Sequence, residues 1–202
     1  MLPWIMLLGG CVAYTGLEGP LASVRRPATD IVTWQRGPEA AKGLIFFCEQ
    51  LDSIVAAEIA AKIVALDLMP EVQRIRLIIN CPGGEVSSWR MISNAMCMTE
   101  KPVDVINVGN CYSAACAIFV AATGKRYAFP NSHFMVHRPQ MLFDSPEHRQ
   151  ALDFEVRAFE QVLQTKTSLP ADWFPLAIRP RYLDARQAMQ YGLVDQIVER
   201  LP

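Results

Sequence analysis

The chain has 202 residues, of which 51% are hydrophobic and 19% charged, and its formal net charge is −1. This length and composition fit one domain with a substantial core, and the near-neutral charge gives no electrostatic case for nucleic acid as a partner. The six cysteines form no Cys-x-x-Cys pair and have no metal-ligand spacing with a histidine, and the chain has no phosphate loop. The sequence therefore predicts neither a metal site nor a cofactor.

Residues 1–42 are predicted to form an N-terminal arm. Met1–Val12 is apolar but too short to span a bilayer, and it lacks the basic start of a secretory signal. Leu8–Cys11, however, resembles the cleavage box of a bacterial lipoprotein. Two locations therefore stay open: the cytoplasm, or the cell envelope with a lipid-anchored N-terminus.

From Gly43 onward, short apolar strands alternate with helices. Asp52 and Asp184 are predicted helix caps, and Gly192 follows the last helix. The predicted strands are 44–48, 74–79, 103–108, 127–129, 134–137 and 193–198. The predicted helices are 54–68, one from Ser87 or Ser88 through Met96, 113–123, 146–166 and 185–191. This alternation, with almost continuously apolar strands, predicts an α/β fold with a mostly parallel sheet that is covered on both faces.

Three segments follow predicted strands and carry the parts needed for acyl transfer. Leu77–Gly84 ends in a tight glycine turn, Val108–Ala117 contains Ser113, and Phe134–Pro139 contains His137. In α/β folds, ligands bind at the carboxyl ends of strands, where all three segments lie. We therefore predict Ser113 as a nucleophile, His137 as its base, and the glycine turn as part of an oxyanion site.

Each feature also has a structural interpretation. Ser113 could cap the following helix, and His137 could be a core or surface histidine with a satisfied partner. The Pro-Gly-Gly run could be an ordinary turn. Cys111 and Cys116 could form a disulfide around Ser113, although free cysteines in apolar surroundings also behave as small hydrophobes.

Five motifs resemble those of the proteolytic subunit of the ATP-dependent Clp protease. They are Ile79–Gly84, Gly109 with Ser113, Gly124–Ser132, Met135–Pro139, and Ala188 with Tyr191–Asp195. The resemblance runs from Gly43 to Val198. It implies a peptidase domain over residues 43–202 with the Clp protease/crotonase-like fold, which is built of repeated strand-strand-helix units.

This resemblance implies a serine endopeptidase that cleaves unfolded proteins or peptides. Matched by position, Ser113 is the nucleophile, His137 is the general base, and the backbone N–H groups of Gly84 and Ala114 form the oxyanion hole. The resemblance also implies stacked heptameric rings and a hexameric ATP-dependent unfoldase as partner.

Two departures from the family pattern stand out. The family's triad aspartate, counted back from Tyr182, falls at Leu176, and the nearest carboxylate on that segment is Asp172. The strand before the glycine turn, Arg76–Ile78, lacks the aromatic residues on which the family docks its unfoldase. Asp172 is the candidate third member of the triad.

These departures leave two alternatives to a fully active peptidase. The chain could be a catalytically weak or inactive structural subunit of a Clp-type ring. It could also be a crotonase-type enzyme acting on acyl-CoA thioesters with the same glycine-built oxyanion site.

Overall fold

A computed structural model describes residues 37–140 and 146–202. The lipoprotein-like box at Leu8–Cys11 and most of the predicted arm lie outside the described residues. The cytoplasmic and cell-envelope alternatives, which differ in the role of that box, therefore stay predictions. Within the described ranges, no helix combines the length and the apolar character needed to cross a membrane.

The strands of the described residues form one seven-stranded sheet. They are β1 Leu44–Phe47, β2 Ile75–Cys81, β3 Val103–Tyr112, β4 Arg126–Ala128, β5 His133–Val136, β6 Arg181–Asp184 and β7 Gln196–Ile197. The main order is β1-β2-β3-β4-β7, and β5 pairs with both β3 and β6. All of these pairings are parallel except that of β5 with β6, which confirms the predicted mostly parallel sheet.

Six α-helices accompany the sheet in the described ranges. They are α1 Pro38–Ala41, α2 Ser53–Asp67, α3 Trp89–Met98, α4 Ala114–Val120, α5 Pro146–Lys166 and α6 Ala185–Gln190. Both predicted caps are confirmed: Asp52 accepts a hydrogen bond from the Val55 N–H, and Asp184 forms a capping box with Gln187. Such caps satisfy N–H groups that the first turn of a helix leaves without a partner.

The core lies around β2, β3 and α4. Every residue of α4 is buried, and the central strands bury apolar side chains on both of their faces. This double burial explains why these strands have almost continuous apolar sequences instead of alternating ones. The largest fully buried side chains include Phe47, Phe119, Phe134, Phe159, Ile63, Leu66 and Leu77.

Several local predictions differ from the structure. The last strand, predicted over 193–198, spans only Gln196–Ile197. Residues 38–41, predicted as loop, form the short helix α1, which Pro38 begins. Strand β3 extends to Tyr112, four residues beyond the prediction, because it pairs first with β4 and then with β5. Strand β6 was not predicted, and it lies just after the proline-rich segment that ends at Pro180.

Candidate active site

Ser113 occupies the turn between strand β3 and helix α4. Its backbone has φ 55° and ψ −123°, and a positive φ is uncommon for a residue other than glycine. The Ser113 N–H donates to the Met135 carbonyl of β5 at 2.7 Å, which holds the turn beside that strand. The Ser113 side chain makes no capping hydrogen bond to the helix, so the interpretation of Ser113 as a helix cap is wrong.

His137 directly follows β5 and contacts Ser113. The distance from His137 Nε2 to Ser113 Oγ is 2.9 Å, and the two residues are only 4% and 1% exposed. The contact follows from the sheet register, because Tyr112 pairs with Met135 and the chain reaches His137 two residues later. The structure thus brings together a hydroxyl and an imidazole that lie 24 residues apart in the sequence.

Burial is the main influence on the charge of His137. Desolvation lowers the pKa of the imidazole below its usual value, and a backbone hydrogen bond with Arg138 offsets only part of this effect. The neutral ring is therefore favoured near pH 7. A neutral imidazole can present an unprotonated nitrogen to a hydroxyl, which is what a general base requires.

The glycine turn after β2 is fixed by Leu51. The Leu51 N–H donates to the Gly83 carbonyl at 2.9 Å, and the Glu85 N–H donates to the Leu51 carbonyl at 2.8 Å. The Gly83 carbonyl and the Gly84 N–H belong to one planar trans peptide and point in opposite directions. The Gly84 N–H therefore points away from Leu51, on the unpaired side of the turn.

Only glycine fits at position 84. Its φ is +148°, and a Cβ built there would lie 2.0 Å from the Leu51 carbonyl oxygen. Neither the Gly84 N–H nor the Ala114 N–H donates to an acceptor within the described residues. Both predicted oxyanion donors are thus available for a ligand.

The structure does not bring Asp172 to His137. Asp172 is exposed in the 3₁₀ turn Ala171–Trp173, and no hydrogen bond joins it to the imidazole. Leu176 is buried, and its N–H donates to the Glu160 carboxylate at 2.6 Å. No carboxylate within the described ranges is hydrogen-bonded to His137.

The segment that precedes β6 lies beside His137. Val136 and Arg181 are the last pair of the antiparallel β5–β6 ladder. Beyond this pair the register shifts by two residues, because the Arg138 N–H donates to the Ala177 carbonyl at 2.8 Å, whereas the ladder would bring Arg138 opposite Arg179. The residue after the base is therefore hydrogen-bonded to the residue after Leu176, and the side chain at position 176 is a buried leucine.

The cysteines near Ser113 are free thiols. Cys111 and Cys116 are both buried and unbridged, and the Cys116 Sγ donates to the Cys111 carbonyl at 3.0 Å. The possible disulfide around Ser113 is therefore absent from this structure, and both residues contribute to the apolar core.

Comparison with known proteins identifies the family. The model of the Clp protease family matches residues 39–201. The chain belongs to the Clp protease family. The chain is 31% identical, over 170 residues, to the ATP-dependent Clp protease proteolytic subunit of Deinococcus radiodurans, a match that covers 78% of this chain and 80% of that protein.

A second relative has a similar sequence identity to this chain. The chain is 30% identical, over 168 residues, to the ATP-dependent Clp protease proteolytic subunit 4, chloroplastic, of Arabidopsis thaliana. The match covers 77% of this chain and 56% of that protein. Membership of the Clp protease family supports a peptidase function and is consistent with the α/β fold and its mostly parallel sheet.

Sequence reasoning missed two residues that shape this site. Leu51 holds the glycine turn through its backbone alone, so its side chain gives no signal in the sequence. Cys81 contacts the turn through its sulfur, and its position immediately before Pro-Gly-Gly was the available signal.

Proposed function

We propose that this Clp protease family member is a serine endopeptidase that cleaves unfolded proteins or peptides through an acyl-enzyme. The observation that carries the proposal is the 2.9 Å contact between Ser113 Oγ and His137 Nε2 in a buried strand-to-helix turn. A nucleophile within hydrogen-bond reach of a base is the arrangement that acyl transfer requires.

The reaction begins when Ser113 Oγ attacks the carbonyl carbon of the scissile peptide bond. The His137 Nε2 takes the hydroxyl proton, and negative charge develops on the carbonyl oxygen. When the C–N bond breaks, the imidazolium gives its proton to the leaving amine, and an ester with Ser113 remains. Water, deprotonated by His137, then attacks the ester, which releases the acid and restores the hydroxyl of Ser113.

The Gly84 and Ala114 N–H groups stabilise the developing oxyanion. Their lack of acceptors within the described residues supports this role. Proton transfer by a positioned base contributes roughly 10²–10⁴-fold to the rate, and one oxyanion donor contributes about 10²–10³-fold. The two effects together are large enough for catalysis by a Ser–His pair.

Hydrolysis of small fluorogenic peptides tests this function. Ser113→Ala should abolish hydrolysis in the assembled protein. Ser132→Ala is the matched control, because Ser132 is also fully buried but its hydroxyl donates to the Phe129 carbonyl. Hydrolysis at the wild-type rate in Ser113→Ala would contradict the nucleophile assignment.

One observation favours a second candidate function, that of a weak or inactive structural subunit in a Clp-type ring. Within the described ranges, His137 has no hydrogen-bonded carboxylate to orient its ring, and removing the orienting charge of a triad costs about 10⁴-fold in turnover. The two candidates differ in whether the purified assembly hydrolyses peptides in a Ser113-dependent way.

Peptide substrates, stacked heptameric rings and an ATP-dependent unfoldase are the partners that we propose from family membership. Two exposed apolar surfaces support them. A groove of about 600 Å³ lies between α2 and α3, with Leu68 and Met98 exposed on its rim. On the sheet, Phe46 of β1 is 53% exposed and pairs with Ile78. Phe46 thus supplies an aromatic side chain next to the Arg76–Ile78 strand, which has none.

A further inference from the structure

Cys81 lies at the junction of strand β2 and the glycine turn. Its side chain is fully buried, and its Sγ accepts a hydrogen bond from the Gly83 N–H at 3.3 Å. The same sulfur lies 3.6 Å from the Gly83 carbonyl oxygen, to which the thiol can donate. Both polar groups of Gly83 are therefore within reach of one side chain.

The Gly83 carbonyl and the proposed oxyanion donor, the Gly84 N–H, belong to the same peptide group. Leu51 fixes that peptide from one side through its N–H, at 2.9 Å from the Gly83 oxygen. Cys81 fixes the preceding peptide through the Gly83 N–H. Gly83 has φ +94°, and a glycine without such contacts would have wide conformational freedom at this position. The two contacts together set the direction of the Gly84 N–H.

Cys81 also connects the glycine turn to the nucleophile. It pairs in register with Cys111 of β3, and Cys111 lies two residues before Ser113. The β2–β3 ladder shifts register between Ile79 and Cys81. The pair formed by Cys81 and Cys111 therefore lies beyond the regular part of the ladder. The spacing between the oxyanion donor and the serine thus depends on the position of Cys81 in the sheet.

We propose that Cys81 is a positioning residue, whose sulfur orients the Gly83–Gly84 turn so that the Gly84 N–H meets the oxyanion. Cys81 touches no reacting atom and acts through the backbone of Gly83. This inference rests on the proposed peptidase function. Sulfur is a weak acceptor, and a serine hydroxyl at the same position would also accept from the Gly83 N–H.

The test compares Cys81→Ala, which removes the acceptor, with Cys81→Ser, which retains one. For a fluorogenic peptide, Cys81→Ala should lower kcat by about 10-fold or more and leave KM within about twofold, because an oxyanion contact acts in the transition state. Binding of a peptide boronate, whose tetrahedral adduct mimics that state, should weaken by a similar factor. Cys81→Ser should retain most of the wild-type kcat and most of the wild-type affinity for the boronate.

Ile79→Val is the matched control, because it removes one buried methyl group from the same strand. It should lower Tm without changing kcat or boronate binding. If Cys81 had only a structural role, Cys81→Ala would have the same effect as this control. If Cys81→Ala fails to fold, Cys81→Thr and Cys81→Val make the same comparison with side chains of equal shape.

Wild-type kcat and boronate affinity in Cys81→Ala would overturn the inference, and so would an equal loss in Cys81→Ser and Cys81→Ala. Either result leaves the proposed function intact as long as wild-type hydrolysis depends on Ser113. Absence of Ser113-dependent hydrolysis in the wild-type protein would instead overturn the proposed function and the inference together.

Discussion

Arg138, the residue after the proposed base, is hydrogen-bonded to Ala177: its N–H donates to the Ala177 carbonyl at 2.8 Å. Leu176, at which the triad aspartate was expected, is therefore next to the segment that lies beside His137, and its side chain is buried and apolar. In serine proteases an orienting carboxylate fixes the imidazole tautomer and stabilises its charged form. Position 176 is where we expect such a carboxylate to act.

We expect Leu176→Asp to raise kcat for a fluorogenic peptide by about 10-fold or more, because the new carboxylate would stabilise the imidazolium formed during attack. Leu176→Asn is the control, since asparagine has the shape of aspartate without its charge. Both variants are compared as folded, assembled proteins, because each places a polar group at a buried position. Equal rates in the two variants and the wild-type protein would show that a carboxylate at position 176 does not act on the imidazole.

Asp172→Asn should leave kcat and KM unchanged. The carboxylate of Asp172 is exposed and makes no hydrogen bond with His137, so its charge is screened by solvent. The measurement is steady-state hydrolysis of the same peptide. A clear fall in kcat would restore Asp172 as the third member of the triad and would require the 3₁₀ turn to move in the assembled protein.

The pH dependence of kcat/KM should report the buried imidazole. Desolvation lowers the pKa of His137, so the neutral base should persist to a lower pH than in a solvated histidine. Activity should be fully present above the usual histidine pKa of about 6.5 and should be lost as the pH falls through an apparent pKa below that value. An acid limb with an apparent pKa clearly above 6.5 would mean that a nearby negative charge acts on the ring.

Gly84→Ala should impair both stability and catalysis. A Cβ at this position would lie 2.0 Å from the Leu51 carbonyl oxygen, so the turn has to move. Strain of this kind costs about 1–3 kcal/mol, which corresponds to a fall in Tm of about 2–12 °C. Because the moved peptide carries the oxyanion N–H, kcat should fall by at least about 10-fold.

Gly109→Ala is the control for that substitution. Its Cβ would meet the Asn80 Oδ1 at 2.6 Å, so the nearest obstacle is a side chain instead of backbone, although that side chain accepts a hydrogen bond from the Asn110 N–H at 2.9 Å. We expect a loss of stability with kcat close to the wild-type value. Full activity in Gly84→Ala would contradict the assignment of Gly84 as an oxyanion donor.

The sequence predicted the parts of the fold that depend on local apolar pattern. Strands β2 and β3 and helix α2 were predicted because buried strands and a capped helix have strong signals. Strand β6 gave no such signal, because its Arg-Tyr-Leu-Asp segment is short, half exposed and preceded by a proline. Its place in the sheet depends on the distant β5, which single-sequence patterns do not report.

For the site, too, local sequence pattern predicted some features, and others depend on contacts between distant segments. Ser113, His137 and the glycine turn were predicted from their positions after apolar strands, and the contact between Ser113 and His137 depends on the β3–β5 register that only the structure supplies. The role of Leu51 depends on its backbone, and the position of the Ala177 segment beside His137 depends on a backbone hydrogen bond from Arg138. Neither relationship could be predicted from residue type.

The most direct test of an activated Ser113 is labelling with a fluorophosphonate probe, which reacts with nucleophilic serines and needs neither the right peptide nor an unfoldase. Wild-type protein, Ser113→Ala and Ser132→Ala should be compared in the assembled state. We predict that the wild-type protein and Ser132→Ala are labelled and that Ser113→Ala is not. Absence of labelling in folded, assembled wild-type protein would contradict the peptidase mechanism and favour the structural-subunit alternative.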